Sequence, residues 1–281
     1  MTLGGVVEIV DEEELARARS RKRQAIARYA LPVVVLIIVL GGWHLLVTVN
    51  EIPHYILPGP DRVFSALVEN WASLIDSWWV TITITFLALS LAISVGVGLA
   101  VLFNLSKWVE LSFFPYAVVL QVTPIVAIAP LIFIYADRTV GLLICAWIVA
   151  FFPILSNTVM GLNSSDHNLR DLFQVYGASR WQKLRFLEGP SALPYFLSGL
   201  RIAGGLSLIG AVVAEFVAGT GGIGSGLAFR ILEASYRLQV PKMFAALFLI
   251  IVTGIAIYLL TSFLSHMLLR KWHESAVRRE G

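Results

Sequence analysis

The chain has few charged residues and a single cysteine. Only 14% of its 281 residues are charged, whereas a soluble domain carries roughly 25%, so there is too little charge here to cover a water-facing surface. The lone cysteine, Cys145, excludes an internal disulfide, a cysteine zinc site and a redox pair. We predict that it is a small, packed core residue.

Long apolar runs make up much of the sequence. Hydrophobic residues form 58% of the chain, and its mean hydropathy is +0.81. Several runs reach the roughly 20 residues that a helix needs to cross a bilayer. We therefore predict an all-α polytopic membrane protein with about six crossings. They are placed at 29–49, 79–103, 111–135, 139–162, 192–216 and 243–269.

The distribution of cations predicts the orientation of these crossings. With both termini inside, the inner segments hold fifteen cations and the outer segments five, and Arg201 lies within a crossing. Because cytoplasmic loops carry the excess of Lys and Arg, we predict that both termini are cytoplasmic. The fifteen are Arg17, Arg19, Arg21, Lys22, Arg23, Arg28, Lys107, Arg170, Arg180, Lys183, Arg185, Arg270, Lys271, Arg278 and Arg279; the five are Arg62, Arg138, Arg230, Arg237 and Lys242.

This orientation divides the chain into a cytoplasmic N-terminal segment (1–28), a membrane domain (29–269) and a cytoplasmic tail (270–281). The first apolar run is too long for a signal peptide and lacks a cleavage site, so it is predicted to be retained. Within the first segment, residues 11–28 fit either a helix on the inner membrane surface or a disordered tail. The spacing of apolar residues in 57–77 predicts an amphipathic helix at the outer interface.

One polar, basic stretch interrupts the apolar runs, between residues 163 and 190. In "NLRDLFQVYGASRWQKLRFLEGP" (168–190), Leu169, Leu172, Phe173 and Tyr176 have helical spacing and are predicted to form one apolar stripe. Asn168 is placed to cap the start of this helix. We predict two short helices on the cytoplasmic side.

The turn residues of this stretch mark where the two helices meet and end. Gly177 supplies the left-handed conformation that ends the first helix. Ser179 and Gln182 form a capping box for the second helix, and Pro190 is predicted to close it. Spacing leaves two uses open: an interfacial pair resting on the bilayer, or a docking element that enters a groove of a cytoplasmic partner.

The stretch resembles the cytoplasmic "EAA" loop of permease subunits in bacterial ABC importers. The family pattern is Glu-Ala-Ala, three residues, glycine, nine residues, isoleucine, one residue, and Leu-Pro. Here Asp171-Leu172-Phe173 is followed at those intervals by Gly177, Leu187 and Pro190, while Leu-Phe replaces Ala-Ala and Gly189 replaces leucine. Residues 122–135, 151–162 and 176–227 also resemble the branch that imports nitrate, sulfonates, taurine and pyrimidine precursors of thiamine.

The resemblance implies the type I importer permease fold in the bacterial inner membrane. It implies a homodimer of permeases, two cytoplasmic ATPase subunits that bind ATP and Mg, and an extracytoplasmic binding protein, with no cofactor in this chain. It also implies a site for ATPase coupling, made of Asp171, Leu172, Phe173, Tyr176, Gly177, Ala178 and Pro190.

Polar residues within the crossings are candidates for a translocation path or gate. They are Gln121, Thr123, Ser156, Asn157, Arg201 and Glu215. For the first four, hydrogen bonding between helices is the competing interpretation. Arg201 could instead extend its side chain to the inner surface, and Glu215 could be interfacial. Three prolines (Pro115, Pro124 and Pro130) are expected to break the third crossing.

The glycine-rich stretch 219–224 lacks the Lys and Ser/Thr of a nucleotide loop and is predicted to form a turn at the outer mouth. A stand-alone secondary transporter or channel is the alternative function, but it would need ionisable residues in several crossings. A membrane-embedded enzyme would need a clustered catalytic set, which the sequence lacks. The predicted solute is a sulfonate, taurine, nitrate or a pyrimidine-like heteroaromatic, and no nucleic-acid partner is expected.

Overall fold

A computed structural model describes residues 3–219 and 224–270, and every regular element in these ranges is a helix. The chain divides into two compact units, 1–65 and 66–281. The helices are α1 (Leu3–Val49), α2 (Pro60–Glu69), α3 (Trp71–Leu105), α4 (Lys107–Val122), α5 (Ile125–Tyr135), α6 (Arg138–Leu162), α7 (His167–Val175), α8 (Arg180–Lys183), α9 (Gly189–Ala218), α10 (Leu227–Tyr236) and α11 (Val240–Leu269). A π-helical turn (Leu184–Glu188) joins α8 to α9.

The first unit consists of α1 and the start of α2. Its apolar stretch Ala30–Val49 is long enough to cross a membrane. Residues 11–28 are helical and belong to the same helix as this stretch; that they lie on the inner membrane surface stays a prediction. The predicted interfacial helix at 57–77 is shorter than expected, because α2 ends at Glu69 and α3 begins at Trp71.

The described residues contain five candidate spans, or six if the bent pair α4 and α5 is one span. These two helices meet at 103°. The break lies at Pro124, which has no N–H to donate and holds Thr123 in an extended conformation (φ −73°, ψ 122°). The prediction that Pro115 and Pro130 also break this crossing was wrong, because both lie inside helices.

The core of the second unit forms where α6 packs against α9 and α3. Two glycines of α9 allow its close approach to α6: a Cβ at Gly199 would lie 2.7 Å from the Pro153 carbonyl oxygen, and one at Gly210 would lie 2.9 Å from the Ala146 Cα. Small residues let membrane helices approach closely and gain van der Waals contact. Cys145 is buried in this core, so its predicted packing role is confirmed.

The region after α9 holds an element that the sequence reading missed. Helix α10 is amphipathic and only ten residues long, which is too short to stand out from hydropathy. Gly219 and Gly224, at the two ends of the glycine-rich stretch, have positive φ angles (54° and 89°). The four residues between them and most of the predicted C-terminal tail (271–281) lie outside the described residues.

Candidate functional site

The first helix of the polar interruption, α7, exposes an apolar stripe. Leu169 and Leu172 are about half exposed, while Val175 and Tyr176 are more than 80% exposed. These four residues define what we call the α7 stripe. Phe173, predicted to belong to the stripe, is half-buried rather than exposed.

The two ends of α7 are fixed by local hydrogen bonds. Asp166 caps the start, where its side chain accepts a hydrogen bond from the Asn168 N–H at 2.7 Å. The prediction that Asn168 is the cap was therefore wrong by two residues. At the other end Gly177 has φ +66°, as predicted, and the N–H groups of Gly177 and Ala178 donate to the carbonyls of Gln174 and Phe173. This is the Schellman arrangement.

The second helix of the interruption does not end where the sequence suggested. The predicted capping box of Ser179 and Gln182 is present. Pro190, however, lies in the first turn of α9, so that Arg180–Ala218 is one apolar-rich helical stretch of 39 residues. Proline cannot donate to the carbonyl four residues back and would clash with it. The π-helical turn before Pro190, with Gly189 donating to the Leu184 carbonyl, accommodates this defect.

A buried glutamate at the inner end of α9 joins the two halves of the interruption. The Glu188 side chain is 5% exposed; its carboxylate lies 3.1 Å from the Lys183 Nζ and 3.9 Å from the Arg170 Nη2. Arg170 also donates to the Ser165 hydroxyl and, at 2.9 Å, to the Leu162 carbonyl at the end of α6.

A third tie reaches another span. The Arg180 Nη1 donates to the Leu105 carbonyl at the end of α3, at 2.9 Å. The interruption is thus bonded to the inner ends of α3, α6 and α9. From the sequence, Arg170, Arg180 and Lys183 were predicted only to orient the chain in the membrane, and no role was predicted for Glu188.

The outer end of α9 carries a second buried glutamate. Glu215 is fully buried and accepts hydrogen bonds from the Thr81 hydroxyl of α3 (2.8 Å) and from the Ala228 N–H (3.0 Å) at the start of α10. The Leu227 N–H donates to the same Thr81 hydroxyl. The carboxylate so fills this space that a Cβ at Gly226 would overlap it. Glu215 is therefore enclosed by protein and does not face the surface of the bundle.

The other polar candidates do not meet at one place. Asn157 donates back to the Pro153 carbonyl (2.8 Å), and its Cβ faces Gly199 of α9. Thr123 donates to the Val119 carbonyl at the bend between α4 and α5. Gln121 is exposed and Ser156 half-buried. Asn157 and Thr123 thus each bond to the backbone four residues earlier in the chain, and their place in a translocation path stays a prediction.

Arg201 lies midway along α9 on a face that no other described residue covers. Its guanidinium carbon is 5.7 Å from the centre of the Tyr258 ring of α11. The open face of α9 consists of Tyr195, Ser198, Arg201, Ile202, Gly205, Ile209 and Phe216, all of them exposed. These residues span an arc of about 120° on a helical wheel.

Comparison with known proteins agrees with a helical transport subunit. A family model described as "binding-protein-dependent transport system inner membrane component" matches residues 92–274. The riboflavin transport system permease protein RibX of Chloroflexus aurantiacus is 36% identical, covering 92% of this chain and 96% of its own. A probable ABC transporter permease protein of Haemophilus influenzae is 30% identical, covering 85% and 96%.

A solved structure shows the same fold. The crystal structure of an amino acid ABC transporter with histidines matches with a TM-score of 0.60 and 19% identity, over 73% of this chain and 98% of that chain. The bundle and its polar interruption define a membrane-embedded transport subunit rather than an enzyme. The chain belongs to the family of binding-protein-dependent transport system inner membrane components, that is, ABC transporter permeases of the inner membrane.

Proposed function

We propose that this chain is the permease of an ATP-driven importer and that its α7 stripe docks into a groove of a cytoplasmic ATPase subunit. The exposed stripe carries the proposal. Leu169, Leu172, Val175 and Tyr176 cover one side of a nine-residue helix whose end is fixed by Gly177. An amphipathic helix that lays its apolar face into a groove is a common mode of recognition. Asp171, exposed beside the stripe, would meet polar groups at the rim.

The polar ties would carry movement of the docked helix to the bundle. Through Arg170, α7 is bonded to the end of α6 and to Glu188 below α9, and through Arg180 the following turn is bonded to α3. Closure of the ATPase subunits would therefore displace the inner ends of three spans together. ATP and Mg would be bound by the partner, as in other systems of this kind.

A second copy of the chain would complete the translocation path. Each copy leaves the open face of α9 uncovered, and a charged residue midway across a membrane faces a protein interior or water rather than lipid. Two such faces would enclose a path for a solute delivered by an extracytoplasmic binding protein. The solute is proposed to be a sulfonate, taurine, nitrate or a pyrimidine-like heteroaromatic; RibX, by its name, transports the heteroaromatic riboflavin.

Co-purification with the ATPase subunit tests the docking. Leu172→Glu places a charge in the centre of the α7 stripe, and we expect recovery of the ATPase to fall about tenfold or more, since an unpaired charge in an interface core costs well over 1.4 kcal/mol. Gln174→Glu is the matched control, because this exposed residue lies about 200° around the helix from Leu172.

Equal recovery with both variants would contradict docking through the stripe. Membrane insertion of each variant, measured by the yield of the detergent-extracted monodisperse permease, is expected to be unchanged because Leu172 lies outside the bundle core. A charge at Phe173 is less informative, because this side chain is already half-buried within the chain.

A further inference from the structure

Arg201 is the deepest charge in the described spans. It follows Gly189 by twelve residues and precedes Ala218 by seventeen, which places it about 18 Å and about 26 Å from the two ends of α9. Among the five candidate spans and the bent pair, it is the one Arg, Lys, Asp or Glu more than ten residues from both ends of its span. Arg201 therefore lies well inside its helix and not in the first or last turns.

No carboxylate in the described residues is paired with the guanidinium of Arg201 to compensate its charge. In the described residues its contact is the face of the Tyr258 ring, and cation–π attraction is worth only about 0.5–2 kcal/mol. The carboxylates of the same bundle are engaged elsewhere: Glu188 holds Lys183 and Arg170, and Glu215 holds Thr81 and Ala228. An uncompensated charge at this depth is costly.

The side chain also points away from the bundle core. Gly199, two residues earlier on α9, faces α6 at the Pro153 carbonyl, and two residues correspond to about 200° of rotation. On the neighbouring side, Gly204 packs on Ile257 of α11. Beyond Arg201 the surface opens over Gly205, where an added Cβ would meet no atom within 4 Å. Arg201 therefore stands at the margin of an open space, backed by an aromatic ring.

We propose that Arg201, held by Tyr258, forms a solute-binding position midway through the membrane that accepts an anionic group of the transported solute. This rests on the proposed function, in which the open face of α9 lines the path. The planar fork of five N–H donors suits a sulfonate, carboxylate or nitrate, and a bound anion would compensate the charge of the guanidinium. The same charge repels cations, so Arg201 and Tyr258 together would favour anionic solutes over cationic ones.

Thiol labelling beside Arg201 tests the sign of the local potential. In a Cys145→Ala background, Ser198→Cys places a thiol on the open face one helical turn from Arg201. The purified permease–ATPase complex in nanodiscs is labelled with an anionic reagent, 2-sulfonatoethyl methanethiosulfonate, and with the cationic 2-(trimethylammonio)ethyl analogue. Each labelling rate is divided by the rate of the same reagent with free 2-mercaptoethanol, which corrects for the intrinsic reactivity of the reagent. The corrected rate of the anionic reagent is then divided by that of the cationic reagent, and this anion-to-cation ratio is compared between variants.

The ratio is expected to fall about fourfold to sixfold in Arg201→Gln, because a unit charge about 8 Å away in water changes the local concentration of each reagent by a factor of about 2 to 2.4, in opposite directions. Arg201→Lys retains the charge and should retain the ratio. Ile202→Cys, on the same open face, provides a second thiol should Ser198→Cys fold poorly.

An unchanged ratio in Arg201→Gln would overturn the anion site, as would thiols at both positions that react with neither reagent. If the ATPase still co-purifies in that case, docking through the α7 stripe stands and only the anion site fails. Loss of the ATPase in Leu172→Glu and Gln174→Glu alike contradicts the proposed function independently of the labelling result.

Discussion

The two ends of α9 each bury a glutamate, but the partners differ in kind. At the inner end, Glu188 is held by Lys183 and Arg170, whose long side chains come from the segment next to the α7 stripe. At the outer end, Glu215 is held by a threonine hydroxyl and a backbone N–H fixed in α3 and α10. Long cationic side chains can follow a moving helix, whereas short hydroxyl and backbone groups cannot.

The comparison suggests how one helix can serve two tasks. The outer end is sealed, since Glu215 is fully buried and Gly226 leaves no room beside its carboxylate. At the inner end, the ion pairs of Glu188 with Lys183 and Arg170 lie next to the α7 stripe. This stripe is exposed, and no described residue covers it. We therefore expect the outer end to set stability and the inner end to set communication with the ATPase.

The largest effect on stability is expected from Glu215→Ala. Truncation leaves the Ala228 N–H and the Thr81 hydroxyl without their acceptor in a buried place, which costs about 2–4 kcal/mol. The thermal unfolding midpoint of the detergent-solubilised permease measures this. Glu215→Gln keeps an acceptor oxygen and the volume and should lose much less; equal midpoints for Ala and Gln would refute the sealed outer end.

Glu188→Gln should loosen the inner end while leaving the bundle folded. Lys183 and Arg170 would lose their shared counter-charge, which costs about 1–3 kcal/mol at a buried position. We expect about tenfold faster amide hydrogen exchange in residues 167–188. Arg185→Ala is the control, because its exposed side chain lies over the Phe186 ring. Unchanged exchange in Glu188→Gln would show that the network does not hold the loop.

A smaller effect is expected from Arg180→Ala. This change removes the 2.9 Å hydrogen bond to the Leu105 carbonyl, and since Arg180 is exposed, water can replace its donor. The free energy of unfolding should fall by about 1 kcal/mol or less, seen as a small drop in the thermal midpoint. A drop greater than that of Glu188→Gln would reverse the ranking of the two ties.

The smallest effect concerns the pH dependence of α10. The hydrogen bond from Arg230 (2.9 Å), with nearby Arg237 (3.1 Å), lowers the pKa of Glu233 below its ordinary value of 4.5. A lowered folded-state pKa stabilises the fold above the ordinary pKa, and this contribution is lost as the pH falls through the folded-state pKa.

The wild-type advantage over Glu233→Gln should therefore be at most about 1 kcal/mol at neutral pH, decline once the pH falls below about 4.5, and vanish below the lowered folded-state pKa. Thermal midpoints of both proteins between pH 3 and 7 measure it. Parallel curves over this range would show that Glu233 gains nothing from its arginine partners.

Local patterns in the sequence predicted the features that depend on nearby residues. The boundaries of α6 and α11 lie within a few residues of the predicted crossings, because apolar length alone sets them. The turn at Gly177 and the box of Ser179 and Gln182 were also predicted. Each of these features is closed by hydrogen bonds between residues only a few positions apart.

Predictions failed at prolines, because the same residue can either break a helix or be accommodated within it. Pro115 and Pro130 signal breaks as strongly as Pro124 does, but only at Pro124 does the chain turn. Pro190 was predicted to end a helix, but a π-helical turn precedes it and the helix continues into α9. Neighbouring packing decides whether a proline defect bends a helix or is absorbed.

By itself, the sequence determined that this chain is a membrane protein, that its cations favour one side, and that one polar stretch interrupts the spans. These features depend only on the length, composition and charge of segments of the chain, and not on which segments pack together. Only the tertiary structure decided which side of α7 stays open, that Glu188 gathers two cations, and that Glu215 is sealed. Thr81 and Glu215 are 134 residues apart in the chain, and no pattern of spacing can state which distant groups a folded bundle brings together.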